Sequence, residues 1–518
     1  DSPITSSEEL RIVGGLDPKS WKLTSLPTVI RPSDRFPAYK GKPVFTGSAG
    51  NDAENGEVLL SVAGGTLRIK DVELVSSAGV PLKSLLSLSR GDHRAEGAAF
   101  RVDGLSQAFL QFGGTADFAD CNFERSTEKR PPVSSEPYRL IYSQDARRIT
   151  MTGCSVDPGT GVNVGAMRIV NGNAVVSDCS LVSGAGSLYA AAIELSGGAT
   201  VIHGGKISGS RHAATAIGVA ADRARVQIEG TDIDARAGSG AIGLSGSGSQ
   251  ITINRALFLG EPAGDFSYLV NTIGGNVSLT NSVLRAADSG DSVVLVSQDS
   301  SVAVFQNTIR AGKGSHLEAA FELIGGNAAI ANNLLLAAMP AAGKATKSAA
   351  IVLSAAEGRA AANAGPAGNS QAEVALGTGS NWNGRLVCTT NGFGGWGNLL
   401  ATDLSLEGLW HPPGYREPAV DTAEKLNAVS DGTNRVFSGN RVQSGNLLDS
   451  DGIHLRAGAA AIGAGSDPST IPLPGFSGEQ RTSLLKNLAV DWDGQPRPRA
   501  SISGSAQWDL GADQFGAR

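Results

Sequence analysis

The sequence predicts an all-β fold: a right-handed parallel β-helix, a solenoid of coils about 25 residues long that ends in an irregular C-terminal region. Three observations lead there. Glycine supplies 68 of the 518 residues and aromatics only 5%, a composition suited to many short strands and tight turns. A hexapeptide returns along the chain at nearly constant spacing. A second alternating run precedes each hexapeptide by about ten residues, so every coil holds at least two strands.

The hexapeptide places apolar residues at its ends and a small or polar residue fourth. It reads IKDVEL (69–74), AEGAAF (95–100), FADCNF (118–123), MTGCSV (151–156), VSDCSL (176–181), IHGGKI (202–207), IEGTDI (228–233), INRALF (253–258), LTNSVL (279–284), VFQNTI (304–309) and IANNLL (330–335). The fourth residues are Val72, Ala98, Cys121, Cys154, Cys179, Gly205, Thr231, Ala256, Ser282, Asn307 and Asn333, spaced by 26, 23, 33, 25, 26, 26, 25, 26, 25 and 26. The preceding runs include AAIELSGG (191–198), TAIGVAAD (215–222), GAIGLSGS (240–247), SVVLVSQD (292–299) and AAFELIGG (319–326).

One such coil cannot close a core, but stacked coils form long parallel sheets, and residues one repeat apart then stand above one another. The fourth position fits a bend between strands, where Asn307 and Asn333 can hydrogen-bond along the stack. The organisation that follows is an N-terminal cap with opening coils over 1–56 and regular coils over 57–358. An irregular covering region spans 359–445 and a closing segment 446–518.

Within this frame the long interval between Cys121 and Cys154 holds a charged, proline-rich loop at 124–140. DTAEKLNAV (421–429) reads as a short helix. The four cysteines show no metal-binding spacing; Cys154 and Cys179 lie one coil apart with side chains pointing alike, so buried free thiols are expected.

A net charge of −6 without a sustained basic cluster argues against a nucleic-acid partner. No run of about 18 apolar residues is present, so no transmembrane segment is expected. Residues 1–10 lack the features of a signal peptide, which leaves room for an export signal removed before Asp1.

Three C-terminal stretches carry a resemblance: DGIHLRAGAAAIGAG (451–465), DWDGQPRP (491–498) and WDLGADQF (508–515). They resemble the closing signature of bacterial extracytoplasmic right-handed β-helix proteins of the pectate-lyase-like superfamily. IVGGLDPKSW (12–21) and TVIRP (28–32) are similar to the opening coil of the same group. The resemblance implies the fold and an extracytoplasmic location: secreted, cell-surface or periplasmic.

Enzymes of that superfamily cleave uronic polysaccharides with calcium and a basic residue, or hydrolyse glycans with paired carboxylates. Their hydrolase pattern is not reproduced, because Asn271-Thr272-Ile273 lacks the acid, no Asp-Asp pair occurs, and Ile202-His203-Gly204 stands where Gly-His-Gly would. Arg68-Ile69-Lys70 lies at the opposite end from the family's late basic element. Asp491-Trp492-Asp493-Gly494 starts like a calcium loop but lacks the later ligands, so it reads as a turn. No cofactor or metal is implied; calcium would suit a lyase, but no motif supports it.

The coil register offers its own candidates. His203 aligns with Glu229, Lys206 with Asp232 and Ser208 with Asp234, and Arg211, His212 and Arg236 follow in the adjoining turns. His203, Lys206, Glu229 and Asp232 are the catalytic candidates, with proton abstraction by His203 or Lys206. Arg211, His212, Asp234 and Arg236 are candidates for binding, and the alternative role for the whole patch is a set of cross-strand ion pairs. Five of the six tryptophans follow residue 380, and Trp396 and Trp410 are candidates for sugar stacking. The functional expectation is an exported or cell-surface β-helix with a structural, adhesive or ligand-binding role toward polysaccharide or a cell-surface protein. The alternative is a polysaccharide lyase-like enzyme acting on uronic polysaccharides.

Overall fold

The computed structural model describes residues 9–13, 28–31, 58–62, 64–76, 82–103, 107–125, 138–338, 348–353, 385–394, 396, 399–402, 420–428, 435–443, 446–497, 499–500 and 506–513. The chain divides into two compact units, residues 1–227 with 231–239 and residues 228–230 with 240–518. Each is a parallel β-helix whose coils carry three strands, one for each of three sheets.

In the first unit the first sheet stacks strands from Glu9–Val13 to Ala199–His203, with Ile202 beside Val176, one coil of 26 residues away. The second sheet runs from Thr28–Ile30 to Asp232–Ala235 and the third from Val58–Val62 to Thr215–Asp222. Alternation sets which side chains enter the core. In Thr66–Lys70, Leu67 and Ile69 are buried while Arg68 and Lys70 are exposed. Phe100 and Phe123 repeat the inward position of the second sheet and stack with centroids 4.6 Å apart.

The bend between the first and second sheets explains the hexapeptide. Its third residue takes a left-handed backbone conformation coil after coil: Asp71, Gly97, Asp120, Gly153, Asp178, Gly204, Gly230, Arg255, Asn281, Gln306 and Asn332, with φ between 49° and 63°. Glycine accepts that conformation without strain, and Asp and Asn are the side chains that tolerate it best. The following residue, the fourth, points inward, and its amide is turned out of the sheet ladder. A side chain one coil on satisfies it: the Cys154 amide donates to Cys179 Sγ at 3.4 Å.

The second unit answers the same demand with asparagine. The amides of Ser282, Asn307, Asn333 and Asn391 donate to Oδ1 of Asn307, Asn333, Asn391 and Asn440 at 2.9, 2.9, 3.1 and 3.1 Å. The carboxamide nitrogens of Asn307, Asn333, Asn391 and Asn440 reach back to the carbonyls of Leu279, Val304, Ile330 and Cys388. The expected bond between Asn307 and Asn333 is therefore one step of a longer ladder.

That ladder passes into the interval expected to be irregular. Leu386–Thr389, Gly392–Gly394 and Leu400–Thr402 form one further coil, and Arg435–Ser438 with Arg441–Gln443 begin another. The rhythm fades in sequence because long insertions separate the strands; Ala328 pairs with Leu386 across 58 residues. The expected helix is present at Ala423–Ala428, and its Asn427 binds Asn440, the last rung.

The segment from residue 446 lies along the flank of the second unit. A helix, Gly478–Leu488, starts at a capping box formed by Ser477 and Gln480. Its Leu484 and Leu488 pack with Ile471 on Ala303, Phe305, Ala329, Ala331 and Val387. Among the described residues no helix is long and apolar enough to cross a membrane. The four cysteines are buried and free, as expected. Burial pushes the Cys388 thiol up to about 12.

Candidate functional site

The charged residues picked out by register fall on turns and outward strand positions, and most of their charge is already paired. Lys206 does sit beside Asp232 and Ser208 beside Asp234 in the second sheet. Lys206 nevertheless reaches past Asp232, and its Nζ lies 2.7 Å from Asp234 Oδ2. Arg236 Nη2 binds the same oxygen at 2.5 Å. Asp234, at 2% exposure, is thus an anchor for two cations. Asp232 is exposed, and partial burial raises its carboxyl above the usual range against the pull of Lys206.

His203, Arg211 and His212 are exposed, and the His212 amide donates to Ser210 Oγ. Glu229 belongs to the second unit, where Arg255 Nη2 binds it at 2.5 Å. Such an arrangement holds turns in place; a lyase base must instead be free to take a proton from a bound sugar.

The tryptophan expectation needs correcting. Trp396 is buried, and its indole N–H donates to the Leu335 carbonyl at 3.1 Å, so it fills the interior rather than offering a face to sugar. Trp410 lies outside the described residues, as do residues 126–137 of the loop at 124–140.

A second cluster arises in the second unit, where the three C-terminal stretches quoted above meet. Each stretch forms a tight turn. In the first, Asp451 Oδ1 accepts the amides of Ile453 at 2.8 Å and His454 at 3.1 Å, and the Asp451 carbonyl is held by Arg285 at 2.7 Å. In the second, Asp491 Oδ1 accepts the Gln495 amide at 2.7 Å, and Gly494 at φ 80° closes the turn. The residues read as a turn at 491–494 are therefore a turn.

The third stretch is tied down by the Leu510 amide on the Ala461 carbonyl and the Gly511 amide on the Asn332 carbonyl. Beneath the turns lies Arg497, buried and bound to Gln306 Oε1 and to the carbonyls of Gly511 and Ala512. Burial lowers its guanidinium to about 10.

These turns bring His454, Asp493 and Asp513 together, with one nitrogen or carboxylate oxygen from each within 4.8 Å of the others. His454 Nδ1 binds Asp451 Oδ2, and its Nε2 lies 3.1 Å from Asp493 Oδ2. Burial works against charge on both His454 and Asp451, but their contact raises the imidazole and, with the Ile453 amide, holds Asp451 down at about 2. Asp513 moves the other way: burial pushes it up to about 6, opposed by His454 and reinforced by Asp491 and Asp493.

Register reasoning could not find this cluster, because its residues lie outside the repeat. The available signal was the density of Asp, Gly and His in three short stretches within 70 residues of the C-terminus. Compared with protein-family models, with curated proteins and with solved structures, the chain matches none.

Proposed function

We propose that the protein is an exported or cell-surface β-helix with a structural, adhesive or ligand-binding role, related to the pectate-lyase-like superfamily of bacteria. The observation that carries this reading is the state of the charged residues around Lys206 in the first unit. Lys206 and Arg236 both bind Asp234, so the cations a lyase would use as base or sugar ligand are engaged in holding neighbouring turns. Both pairs rest on a buried carboxylate, so taking away a cation would leave the charge of Asp234 undercompensated, which suits a structural anchor better than a reactive centre. The extracytoplasmic location rests on the likeness of the closing and opening stretches to those of exported β-helix proteins.

Uronic polysaccharides, neutral glycans and buffer alone, each incubated with the purified chain, test this reading. Ultraviolet absorbance follows unsaturated products, and glycan-array fluorescence follows binding. Expected is no unsaturated product, with retention on a subset of glycans or on cell-surface preparations. Release of unsaturated uronides, abolished by Lys206→Ala, would replace this reading with the lyase.

A further inference from the structure

We propose that His454, Asp493 and Asp513 bind a divalent transition-metal ion of the zinc class, which clamps the three C-terminal turns to one another. The donor set is one imidazole nitrogen and two carboxylates, all within 4.8 Å of each other. Three donors around an ion at about 2.0–2.1 Å stand roughly 3 Å apart, so small side-chain rotations close the triangle. His454 Nε2 and Asp493 Oδ2 are already at 3.1 Å. A nitrogen in the set favours zinc and its neighbours over calcium and magnesium, which prefer oxygen ligands throughout.

Two further observations point to a cation. The first is the orientation of the ring. Asp451, outside the triad, engages Nδ1 of His454 and is itself held by the amides of Ile453 and His454. With the ring proton at Nδ1, the lone pair of a neutral imidazole sits on Nε2, facing Asp493. A carboxylate on the far nitrogen is the usual support of a metal-binding histidine. The second is Asp513. At 6% exposure it is more than nine-tenths buried, and among the described residues its carboxylate takes no side-chain hydrogen bond and forms no ion pair. It has the Leu455 amide as a donor, and it faces His454 and Asp493.

A buried carboxylate in that position needs a positive partner. A protonated His454 faces it, and Arg497, bound to Gln306 and to two backbone carbonyls, adds only its field; a cation among the three donors would take the place of the imidazolium. With three protein ligands, the remaining coordination is left to water. Asp493 is the outermost of the three, so the ion would be reached from the solvent side.

The full chain, treated with a chelator and dialysed, is titrated with Zn²⁺ by calorimetry and with Co²⁺ by visible absorption. Far-ultraviolet circular dichroism confirms the fold of each variant. Expected is one equivalent of Zn²⁺ and a Co²⁺ spectrum typical of nitrogen and oxygen ligands. Asp493→Asn, at an exposed position that leaves packing intact, and His454→Gln should each weaken binding by about tenfold or more. Asp451→Asn should weaken it about 10–100-fold through the ring orientation alone.

Absence of a one-equivalent isotherm overturns the site and leaves a protonated imidazole as the partner of the three carboxylates. Equal binding by wild type, Asp493→Asn and His454→Gln places the metal elsewhere and overturns it as well. Tighter binding of Ca²⁺ than of Zn²⁺ overturns the metal class.

Discussion

At the scale of single residues, the sharp bend of the hexapeptide is built by two adjacent positions with different tasks. The third carries the left-handed backbone, and in the first unit it alternates strictly: Asp71, Gly97, Asp120, Gly153, Asp178, Gly204. The reason is steric. A Cβ at Gly153 would collide with Asp120 Oδ1, and one at Gly97 or Gly204 with the carboxylate of Asp71 or Asp178. Each aspartate therefore occupies the room its glycine neighbour leaves. Gly153→Ala should cost about 1–2 kcal/mol from backbone strain and collision together. In an Asp120→Gly background the collision is gone and only the backbone part, about 1 kcal/mol, should remain. A double-mutant cycle by urea unfolding measures the difference; strict additivity would disprove the pairing. The fourth position carries the amide that leaves the ladder. Asn333→Leu removes the acceptor of the Asn307 amide and the donor to the Val304 carbonyl, two buried groups. At about 1–3 kcal/mol each, the loss should be about 4 kcal/mol. Asn333→Ser should cost less than Asn333→Leu, because a hydroxyl does this work at Ser282, which accepts the Ala256 amide at 3.1 Å.

At the scale of the strand, the alternation that made the fold legible also shows its exceptions. In Asp92–Glu96 the inward position between Leu67 and Ala116 is held by His93, 4% exposed. Its Nε2 donates to the Arg90 carbonyl, and Leu67, Leu86, Leu88 and Phe118 lie around it. Burial lowers its pKa below the ordinary 6.5, against smaller opposing effects of the Arg90 carbonyl and Asp92. The sign follows. As pH falls below about 6.5 the unfolded chain takes up a proton that the folded chain resists, so stability declines until the folded-state pKa is passed. His93→Leu should flatten this part of the profile between about pH 7 and about pH 5. Midpoints of urea unfolding across that range test it, and an unchanged slope would show that other groups dominate. Strands, their register and the bend column were all readable from the repeat because every coil restates them. The left-handed third position leaves in the sequence only a run of Gly, Asp, Asn, Arg and Gln, which ordinary turns share, so backbone angles are needed to single it out. The helix Gly478–Leu488 had a signal too, Ser477 and Gln480 followed by Leu484 and Leu488, but it is one of few helical stretches in a chain whose dominant pattern has period two. The cluster of His454, Asp493 and Asp513 was the least legible, since no period relates its members.

At the scale of the molecule, the two units use the outer face of the first sheet differently. In the first unit most of its outward positions are polar, as Arg68, Lys70 and Arg94 show, and the apolar ones, Val175 and Val201, are not buried. In the second unit the equivalent positions are Ala303, Phe305, Ala329, Ala331 and Val387, all at 0% exposure beneath the C-terminal segment. That change from polar to apolar at outward positions is a sequence signal for a cover, because an uncovered row of this kind would recruit other apolar surfaces. Leu484 and Leu488 are the helix's buried contacts with that row. Leu484→Asp places a carboxylate in the seam without a partner and should cost more than about 3 kcal/mol of cover docking. The β-helix itself draws on its ladder and on the stacked inward side chains, so its circular dichroism should persist. The expected result is a chain that keeps its β signal, gains binding of an apolar dye, and is cut by protease in residues 446–497 faster than wild type. Glu479→Ala, on the exposed side of the same helix, should behave as wild type. Loss of the β signal together with the cover would mean instead that the second unit folds only as one piece with its C-terminal segment. Unchanged dye binding and cleavage would show that Leu484 contributes little to the seam.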